Sequence, residues 1–147
     1  MLELYQVCKT FNPGTVNEKV ALNHLSLSLS EGDFVTVIGG NGAGKSTMLN
    51  AISGVWPVDT GTIRIDGTDV TALSEHRRAV YLGRVFQDPM VGTAGNMTIE
   101  ENLALAARRG EKRTLRWGIR RKERSRFREL LRPLGLGLED RLTAKVG

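Results

Sequence analysis

The chain has 147 residues, of which 40% are hydrophobic, and a formal net charge of +5. This length suits one ordinary domain, and the apolar content is sufficient for a core. The single cysteine, Cys8, excludes an internal disulfide, and no apolar run reaches the length of a membrane-spanning helix. The N-terminus also lacks a basic segment followed by an apolar one, so the composition predicts a cytoplasmic protein.

The positive charge is concentrated in one segment. Residues 108–132 contain 12 Lys or Arg and 3 acidic residues, a net charge of +9, so the rest of the chain carries −4. This uneven distribution does not indicate a nucleic-acid-binding surface for the whole domain. The segment is either a solvated helix face or a dedicated binding surface, and the first explanation is the commoner one for such a charge run.

Two N-terminal segments alternate apolar and polar residues as half-buried strands do, at residues 2–7 and 25–30. Between them, Phe11-Asn-Pro-Gly14 predicts a turn, followed by a polar loop to about Lys19. Phe11 has two interpretations: a ring that stacks on an adenine base, or a partly buried anchor of the turn. The residues alone favour the second interpretation.

The segment Gly39-Gly-Asn-Gly-Ala-Gly-Lys-Ser-Thr47 satisfies the pattern G-x-x-x-x-G-K-[ST] of a phosphate-binding loop. Its glycines let backbone N–H groups converge on phosphate oxygens, because no Cβ blocks the approach. Lys45 supplies a mobile positive charge, and the Ser46 hydroxyl is short enough to hold Mg²⁺.

The surroundings of this loop support that interpretation. The apolar run Asp33-Phe-Val-Thr-Val-Ile38 predicts a buried parallel strand before the loop. After the loop, apolar residues at helical spacing predict a helix that ends at Gly54. The apolar residues of that helix are Met48, Leu49 and Ile52.

The middle of the chain predicts a hairpin and a second buried strand. Thr62-Ile-Arg-Ile65 alternates in polarity and ends in the turn signal Asp66-Gly67. After a short helical segment, residues 82–86 predict an apolar strand that leads to Gln87. Because ligands bind at the ends of such strands, Gln87 is either a residue that touches metal or water near a γ-phosphate or an ordinary turn residue. The residues leave these two readings open.

Two helices are predicted in the C-terminal part. Thr98-Ile-Glu-Glu101 is a capping box that begins a helix running to about Arg109. The face of this helix that should be buried carries Ile99, Leu103 and Ala106. A basic helix follows between Lys112 and Arg132, ended by residues 133–137. Its apolar stripe should consist of Phe127, Leu130 and Leu131.

Five segments, taken in order along the chain, resemble the nucleotide-binding subunit of an ABC transporter. They are Lys9-Thr-Phe11, the phosphate loop, Gly61-Thr-Ile-Arg-Ile-Asp-Gly67, Val85-Phe-Gln-Asp-Pro89 and Met97-Thr-Ile-Glu-Glu-Asn102. The resemblance implies an α/β fold: an incomplete P-loop NTPase core with an antiparallel β subdomain and the start of a helical subdomain. It further implies a nucleotide-binding core at residues 1–87 and the beginning of the helical subdomain at residues 88–147.

The resemblance also implies roles for individual residues. Phe11 would stack on adenine, Asn41 would lie beside the γ-phosphate, and Gln87 would contact Mg²⁺ and relay the nucleotide state to membrane subunits. Gly42 to Thr47 would hold the phosphates. The full set of residues that would bind ATP is Phe11, Gly39, Asn41, Gly42, Ala43, Gly44, Lys45, Ser46, Thr47 and Gln87. Ser46 and Gln87 would be the metal ligands, while Lys45 and Gln87 would contribute to a catalytic site that this chain does not complete.

The function implied by the resemblance is that of an ATP-binding subunit that uses Mg-ATP to power solute transport, with import of amino acids or similar solutes favoured. Its partners would be transmembrane permease subunits and a second nucleotide-binding subunit, at the inner face of the cell membrane and without nucleic acid. Two alternatives remain at this point. One is a soluble ABC-type ATPase that acts on nucleic acid or ribosomes, and the other is a nucleotide-binding module without catalysis.

The sequence also departs from the family pattern. It lacks a Leu-Ser-Gly-Gly-Gln signature, a Walker B strand ending in Asp-Glu, a D-loop and a switch histidine. Leu136-Gly-Leu-Glu-Asp140 does not replace Walker B, because glycine interrupts its apolar residues and a proline-broken helix precedes it. The chain is therefore expected to be the N-terminal part of a longer subunit, which binds ATP but does not hydrolyse it alone.

Overall fold

The computed structural model describes residues 1–111 and 118–147, so the stretch from Lys112 to Trp117 of the expected basic helix lies outside the described residues. The chain forms two compact units, residues 1–83 and residues 84–147. The expected functional boundary after residue 87 stays a prediction. Each unit is described by itself below.

The first unit is built on a four-stranded antiparallel sheet with the strand order β2-β1-β3-β4. Its strands are β1 (Leu2–Phe11), β2 (Lys19–Leu29), β3 (Thr60–Ile65) and β4 (Thr68–Asp69). The three alternating segments of the sequence are thus confirmed as strands. The hairpin between β3 and β4 is also confirmed, and Asp66 and Gly67 at its turn have φ values of 49° and 75°. Positive φ at both central residues is what a tight hairpin turn requires.

Helix α1 (Lys45–Ser53) supplies one side of the core of this unit. Met48 and Ala51 are buried, whereas Leu49 is exposed, so the helix buries a narrower face than the sequence predicts. Gly54 ends the helix with a φ of 82°, as predicted. The buried apolar residues of the unit are Leu4, Val7, Leu22, Met48, Ala51, Ile63, Ile65 and Val70.

A buried arginine ties the end of α1 to the short helix α2 (Glu75–Arg78). The Arg78 side chain, in a residue that is 1% exposed, donates to the carbonyl oxygens of Ala51 and Ile52 at 2.6 and 3.0 Å. It also donates to Leu73 O and Thr71 O, each at 2.8 Å. The carbonyls in the last turn of a helix have no i+4 donor within the helix, and Arg78 donates to two of them, in addition to the N–H of Gly54, which donates to Ala51 O at 3.2 Å. Burial lowers the pKa of this guanidinium.

Two segments that the sequence predicts as buried strands are not strands. Residues 33–38 and 82–86 have no strand assignment, and Phe34, Ile38 and Val85 are 92%, 91% and 98% exposed. A buried parallel strand needs neighbouring strands and covering helices, and the sheet of the first unit contains only β1 to β4. The apolar pattern alone was therefore insufficient, and the prediction of strands at these positions was wrong for the fold observed.

The second unit contains helices α3 (Ile99–Ala107) and α4 (Arg121–Leu131). The capping box of α3 is confirmed, because the backbone N–H of Glu101 donates to Thr98 Oγ1 at 3.3 Å and the backbone N–H of Thr98 donates to Glu101 Oε2 at 2.7 Å. Short 3-10 turns occur at Pro89–Gly92, Arg132–Leu134 and Leu138–Asp140. The last turn agrees with the interpretation that residues 136–140 are not a Walker B strand.

The core of the second unit differs in detail from the predicted helix faces. Its buried apolar residues are Ala104, Phe127, Leu131 and Leu142. Ala106 and Leu130 are exposed instead of buried. Ile99 and Leu103 pack against the core as predicted, and Ala104 follows Leu103 on the covered face. No helix among the residues that the structure describes is long and apolar enough to cross a membrane.

Candidate functional site

The phosphate loop lies in the first unit and leads directly into α1. Gly44 precedes the helix with a φ of 86°, and Gly42 has a φ of 81°. A Cβ at Gly44 would come within 2.5 Å of the carbonyl oxygen of Ala21 in β2. Because positive φ and so close a backbone approach together exclude a side chain, the fold of the loop itself requires Gly44, and the positive φ of Gly42 favours glycine there as well. This structural reason for glycine adds to the reason predicted from the sequence, which is that phosphate oxygens must reach the backbone N–H groups.

The side chain of Lys45 folds back onto the loop. Its Nζ donates to the carbonyl oxygens of Gly39 at 2.6 Å and Gly40 at 2.8 Å. A lysine ammonium has three donors, so these two bonds leave one for a phosphate oxygen. Lys45 therefore shapes the loop and presents a charge from it.

The beginning of α1 offers further donors to an anion. The first bond within the helix runs from the N–H of Met48 to the carbonyl oxygen of Gly44 at 2.8 Å. The N–H groups of the three residues before Met48 consequently have no acceptor within the helix. Together with the positive end of the helix dipole, such groups form an anion-binding site. The Ser46 side chain is exposed in this first turn, and its hydroxyl oxygen is the kind of ligand that Mg²⁺ prefers.

A cavity of about 310 Å³ opens beside the loop. This volume is close to the lower end of the range for small-molecule sites, about 300 to 1,000 Å³. Its lining residues are Phe11, Lys19, Ala21, Asn41, Gly42, Ala43, Gly44, Lys45, Ser46 and Thr47. The cavity thus brings Phe11 together with the loop residues 41–47, while Gly39 accepts the hydrogen bond from Lys45. What these residues bind stays a prediction.

Phe11 combines features of both interpretations that the sequence leaves open. Its ring is partly buried and packs edge-to-face on Trp56, with 5.0 Å between the ring centroids. It also lines the cavity beside the phosphate loop. Its stacking on adenine stays a prediction, but the ring lies at the site where that role would need it.

An ion pair fixes the end of β1 that carries Phe11. Lys9 Nζ lies 2.8 Å from Asp59 Oδ1, and the backbone N–H of Thr10 donates to Asp59 Oδ2 at 2.6 Å. These two hydrogen bonds, with that from Lys9 the larger cause, hold the pKa of the Asp59 carboxyl below its ordinary value. The sequence alone gives no signal for this contact, because Lys9 and Asp59 are 50 positions apart.

Lys19 and Ala21 line the cavity although the sequence motifs do not include them. Lys19 is paired with Phe11 across the antiparallel strands β1 and β2. The signal was present in the polarity pattern, since the predicted turn at residues 11–14 places the two ends of a hairpin side by side. The register of the two strands, which decides which residues pair, is not visible in that pattern.

Gln87 lies in the second unit, where it is exposed and directly precedes Asp88. Asp88 caps the 3-10 turn, because the backbone N–H of Met90 donates to Asp88 Oδ1 at 2.9 Å. The role of Gln87 as a metal ligand stays a prediction. Among the described residues, no group of three or more His, Cys, Asp or Glu side chains could hold a metal ion.

The model of one protein family, described as ABC transporter, matches residues 22–146. The chain belongs to the ABC transporter family. A tyrosine transport ATP-binding protein of Clostridioides difficile is 38% identical over 146 residues, which cover 99% of this chain and 58% of that protein. A spermidine/putrescine import ATP-binding protein of Haemophilus influenzae is 32% identical over 108 residues, which cover 74% of this chain and 27% of that protein.

Solved structures of ATP-binding cassettes from this family share the fold. A dimeric cassette in a post-hydrolysis state, bound to ADP and Pi, has a TM-score of 0.76 and 30% identity, and the match covers 99% of this chain and 61% of the cassette. A nucleotide-free cassette from an ABC transporter has a TM-score of 0.72 and 27% identity, with coverage of 100% and 58%. The fold is therefore a mixed α/β, partial ABC cassette. The chain spans about three fifths of the length of these two cassettes and of the tyrosine transport protein, and about a quarter of the spermidine/putrescine import protein.

Proposed function

We propose that this chain is the ATP-binding part of an ABC transporter subunit, and that Mg-ATP binds in the cavity between Phe11 and the phosphate loop. The observation that carries the proposal is the loop itself: its glycines, Lys45 and the first turn of α1 surround one cavity with hydrogen-bond donors. Membership of the family and the ADP and Pi in a structural neighbour support ATP as the ligand.

In this proposal each side chain has a separate task. Lys45 contacts the β- and γ-phosphates with the donor that the loop carbonyls leave over, and Asn41 lies beside the γ-phosphate. Ser46 and Gln87 would be the ligands of Mg²⁺, and the ion would neutralise charge on the phosphates. Phe11 stacks on the adenine.

Transport is the process that ATP serves in this proposal. The relatives above are named for tyrosine transport and for spermidine/putrescine import, which supports a transporter over an ATPase that acts on nucleic acid. We propose import of an amino acid or a similar solute, with transmembrane permease subunits and a second nucleotide-binding subunit as partners at the inner face of the cell membrane. Residues 1–87 would serve the nucleotide, and residues 88–147 would begin the helical subdomain.

Binding without hydrolysis is expected of this chain alone. The sequence contains neither the Walker B carboxylate nor the signature motif that complete the site in the family. Phosphoryl transfer depends on positioning and on charge stabilisation around the γ-phosphate, and the loop supplies only part of both. Hydrolysis would belong to a longer subunit.

The test is to replace Lys45 and to measure ATP binding by calorimetric titration in the presence of Mg²⁺. Lys45→Ala should weaken binding by about 1.5–3 kcal/mol, the scale of a charge-assisted hydrogen bond. Lys122→Ala is the matched control, because Lys122 is exposed on α4 in the other unit.

Two outcomes would contradict the proposal. Unchanged ATP affinity in a Lys45→Ala variant with a native circular dichroism spectrum would show that the loop does not hold the phosphates. The spectrum matters because Lys45 also bonds to Gly39 and Gly40. A steady-state ATP turnover that Lys45→Ala abolishes would show that the chain hydrolyses ATP by itself.

A further inference from the structure

We propose that Lys19 is a second phosphate-binding cation of the site, supplied by β2 and not by the phosphate loop. The inference rests on the proposed function and assigns a residue that the motif does not include. Its first support is position: Lys19 lines the cavity, and its Nζ lies 3.1 Å from the point where a Cβ on Gly42 would be. The ammonium therefore lies directly against the part of the loop that should face the phosphates.

The register of the sheet explains why Lys19 reaches the loop. Lys19 is the first residue of β2 and pairs with Phe11, the last residue of β1. Directly opposed residues of antiparallel strands have Cβ atoms about 4.5–5.5 Å apart. The hairpin consequently presents an aromatic ring and an ammonium side by side at the cavity. A nucleotide has the matching pair of features, a base and a chain of phosphates.

The charge of Lys19 is available for an anion. Lys9, on the neighbouring strand, is paired with Asp59 at 2.8 Å. Lys19 makes no ion pair with any carboxylate among the described residues. Glu18, its neighbour in sequence, accepts a hydrogen bond from the backbone N–H of Gly14 at 2.6 Å. An unpaired ammonium beside a loop of backbone donors increases the positive potential of the cavity.

The glycine at position 42 fits this arrangement. A Cβ there would be in close contact with the Lys19 ammonium, and the residue also has positive φ. A glycine thus leaves room for the lysine to lie over the loop. Because Lys45 spends two donors on the loop carbonyls, Lys19 supplies the fuller set of donors to the ligand.

The experiment compares Lys19→Met with Lys19→Arg in the full chain. Met keeps the length of the aliphatic stem and removes the charge, whereas Arg keeps both. The probes are ATP and inorganic triphosphate, each with Mg²⁺, titrated at low and at high ionic strength. Arg64→Met is the control, since Arg64 is an exposed cation on β3 of the same unit and does not line the cavity.

Lys19→Met should weaken binding of both probes by about tenfold and reduce the salt dependence of binding, as expected for one lost charge-assisted contact. Lys19→Arg should stay within about twofold of the wild type, and Arg64→Met should leave both affinities unchanged. Loss of inorganic triphosphate binding together with ATP binding separates a phosphate contact from a contact with the base or ribose.

Three outcomes would overturn the inference. The first is an unchanged affinity in Lys19→Met. The second is an equal loss of affinity in Lys19→Arg, which indicates a packing role. The third is an equal loss of affinity in Arg64→Met, which indicates only the overall positive electrostatic potential of the unit. The proposed function has its own test. If Lys45→Ala also leaves ATP affinity unchanged, the loop does not bind phosphate and both proposals are wrong. If Lys45→Ala weakens binding and Lys19→Met does not, only the assignment of Lys19 is wrong.

Discussion

Phe11 shows how one side chain can serve the fold and the site together. Its contact with Trp56 anchors the end of β1, and its position on the cavity leaves it beside the loop. Replacement by alanine would remove both contacts at once, so a loss of nucleotide binding in that variant would have two explanations. A leucine keeps most of the apolar volume beside Trp56 but loses the ring contact with it, whereas a tyrosine keeps the ring.

Phe11→Leu should weaken ATP binding by about 1–3 kcal/mol, because the stacking of an aromatic ring on the base is lost. Binding of inorganic triphosphate should not change, and Phe11→Tyr should retain the affinity for ATP. Titration of the three proteins with both ligands makes this comparison. An equal loss for ATP and inorganic triphosphate would show that Phe11 acts only on the structure of the loop.

At the scale of elements, the charges of α4 are not equivalent. Arg124 donates to both carboxylate oxygens of Glu100, at 2.7 and 2.8 Å, and Glu100 is only 6% exposed. Glu123 accepts from the backbone N–H of Arg120 at 2.8 Å and pairs with Arg108 at 3.1 Å. These contacts stabilise the second unit. The exposed cations of α4 that remain for a partner include Arg121, Lys122, Arg126 and Arg128.

Docking on permease subunits can therefore be tested without disturbing the fold. Glu replacements at Arg121, Lys122 and Arg126 in a full-length subunit should weaken its association with the permease, because they reverse the charge of the exposed face. The helix should tolerate them, since all three residues are exposed and acidic residues in the first turn, at positions 121 and 122, are favourable. ATP affinity should not change. Co-purification with the permease measures the first effect, and titration measures the second.

Arg124→Glu is the contrasting variant. It should destabilise the second unit by about 1–3 kcal/mol, because it leaves the buried Glu100 without its partner. A triple variant that co-purifies and transports as the wild type does would show that the basic face is only solvated.

Sequence patterns predicted the elements that depend on near neighbours. Three such features depend on residues only a few positions apart in sequence. They are the capping box at Thr98, the end of α1 at Gly54 and the hairpin at Asp66-Gly67. Contacts across the chain were beyond such patterns. The acceptors of Arg78 in α1 lie 26 and 27 positions away, and nothing in the local sequence distinguishes Arg78 from the exposed Arg77.

The same distinction applies to the candidate site. The phosphate loop could be recognised because its residues form one unbroken segment with fixed types and spacing. Lys19 could not, since its place depends on the register between β1 and β2. The two expected parallel strands failed for a related reason. A run of apolar residues indicates burial, but partners elsewhere in a sheet decide whether it forms a strand.

At the scale of the whole molecule, residues 33–38 form a contiguous run of exposed, mainly apolar side chains. Phe34 and Ile38 are almost fully exposed in a segment that has no strand partner. Contiguous exposed apolar residues with unpaired backbone groups promote association between chains. We propose that, in a longer subunit, residues outside this chain cover these side chains.

This chain expressed alone should consequently self-associate as its concentration rises, and Phe34→Ser with Ile38→Ser should increase its solubility. Val16→Ser is the control, because Val16 is an isolated exposed residue in the turn before β2. In a subunit extended to the length of its relatives, the same double substitution should have the opposite effect and lower the melting temperature, because burial of each large apolar side chain contributes about 1.5–3 kcal/mol. Sedimentation and thermal melts of both lengths test this reversal. A wild-type 147-residue chain that is monomeric and unfolds in one sharp, reversible transition would contradict it.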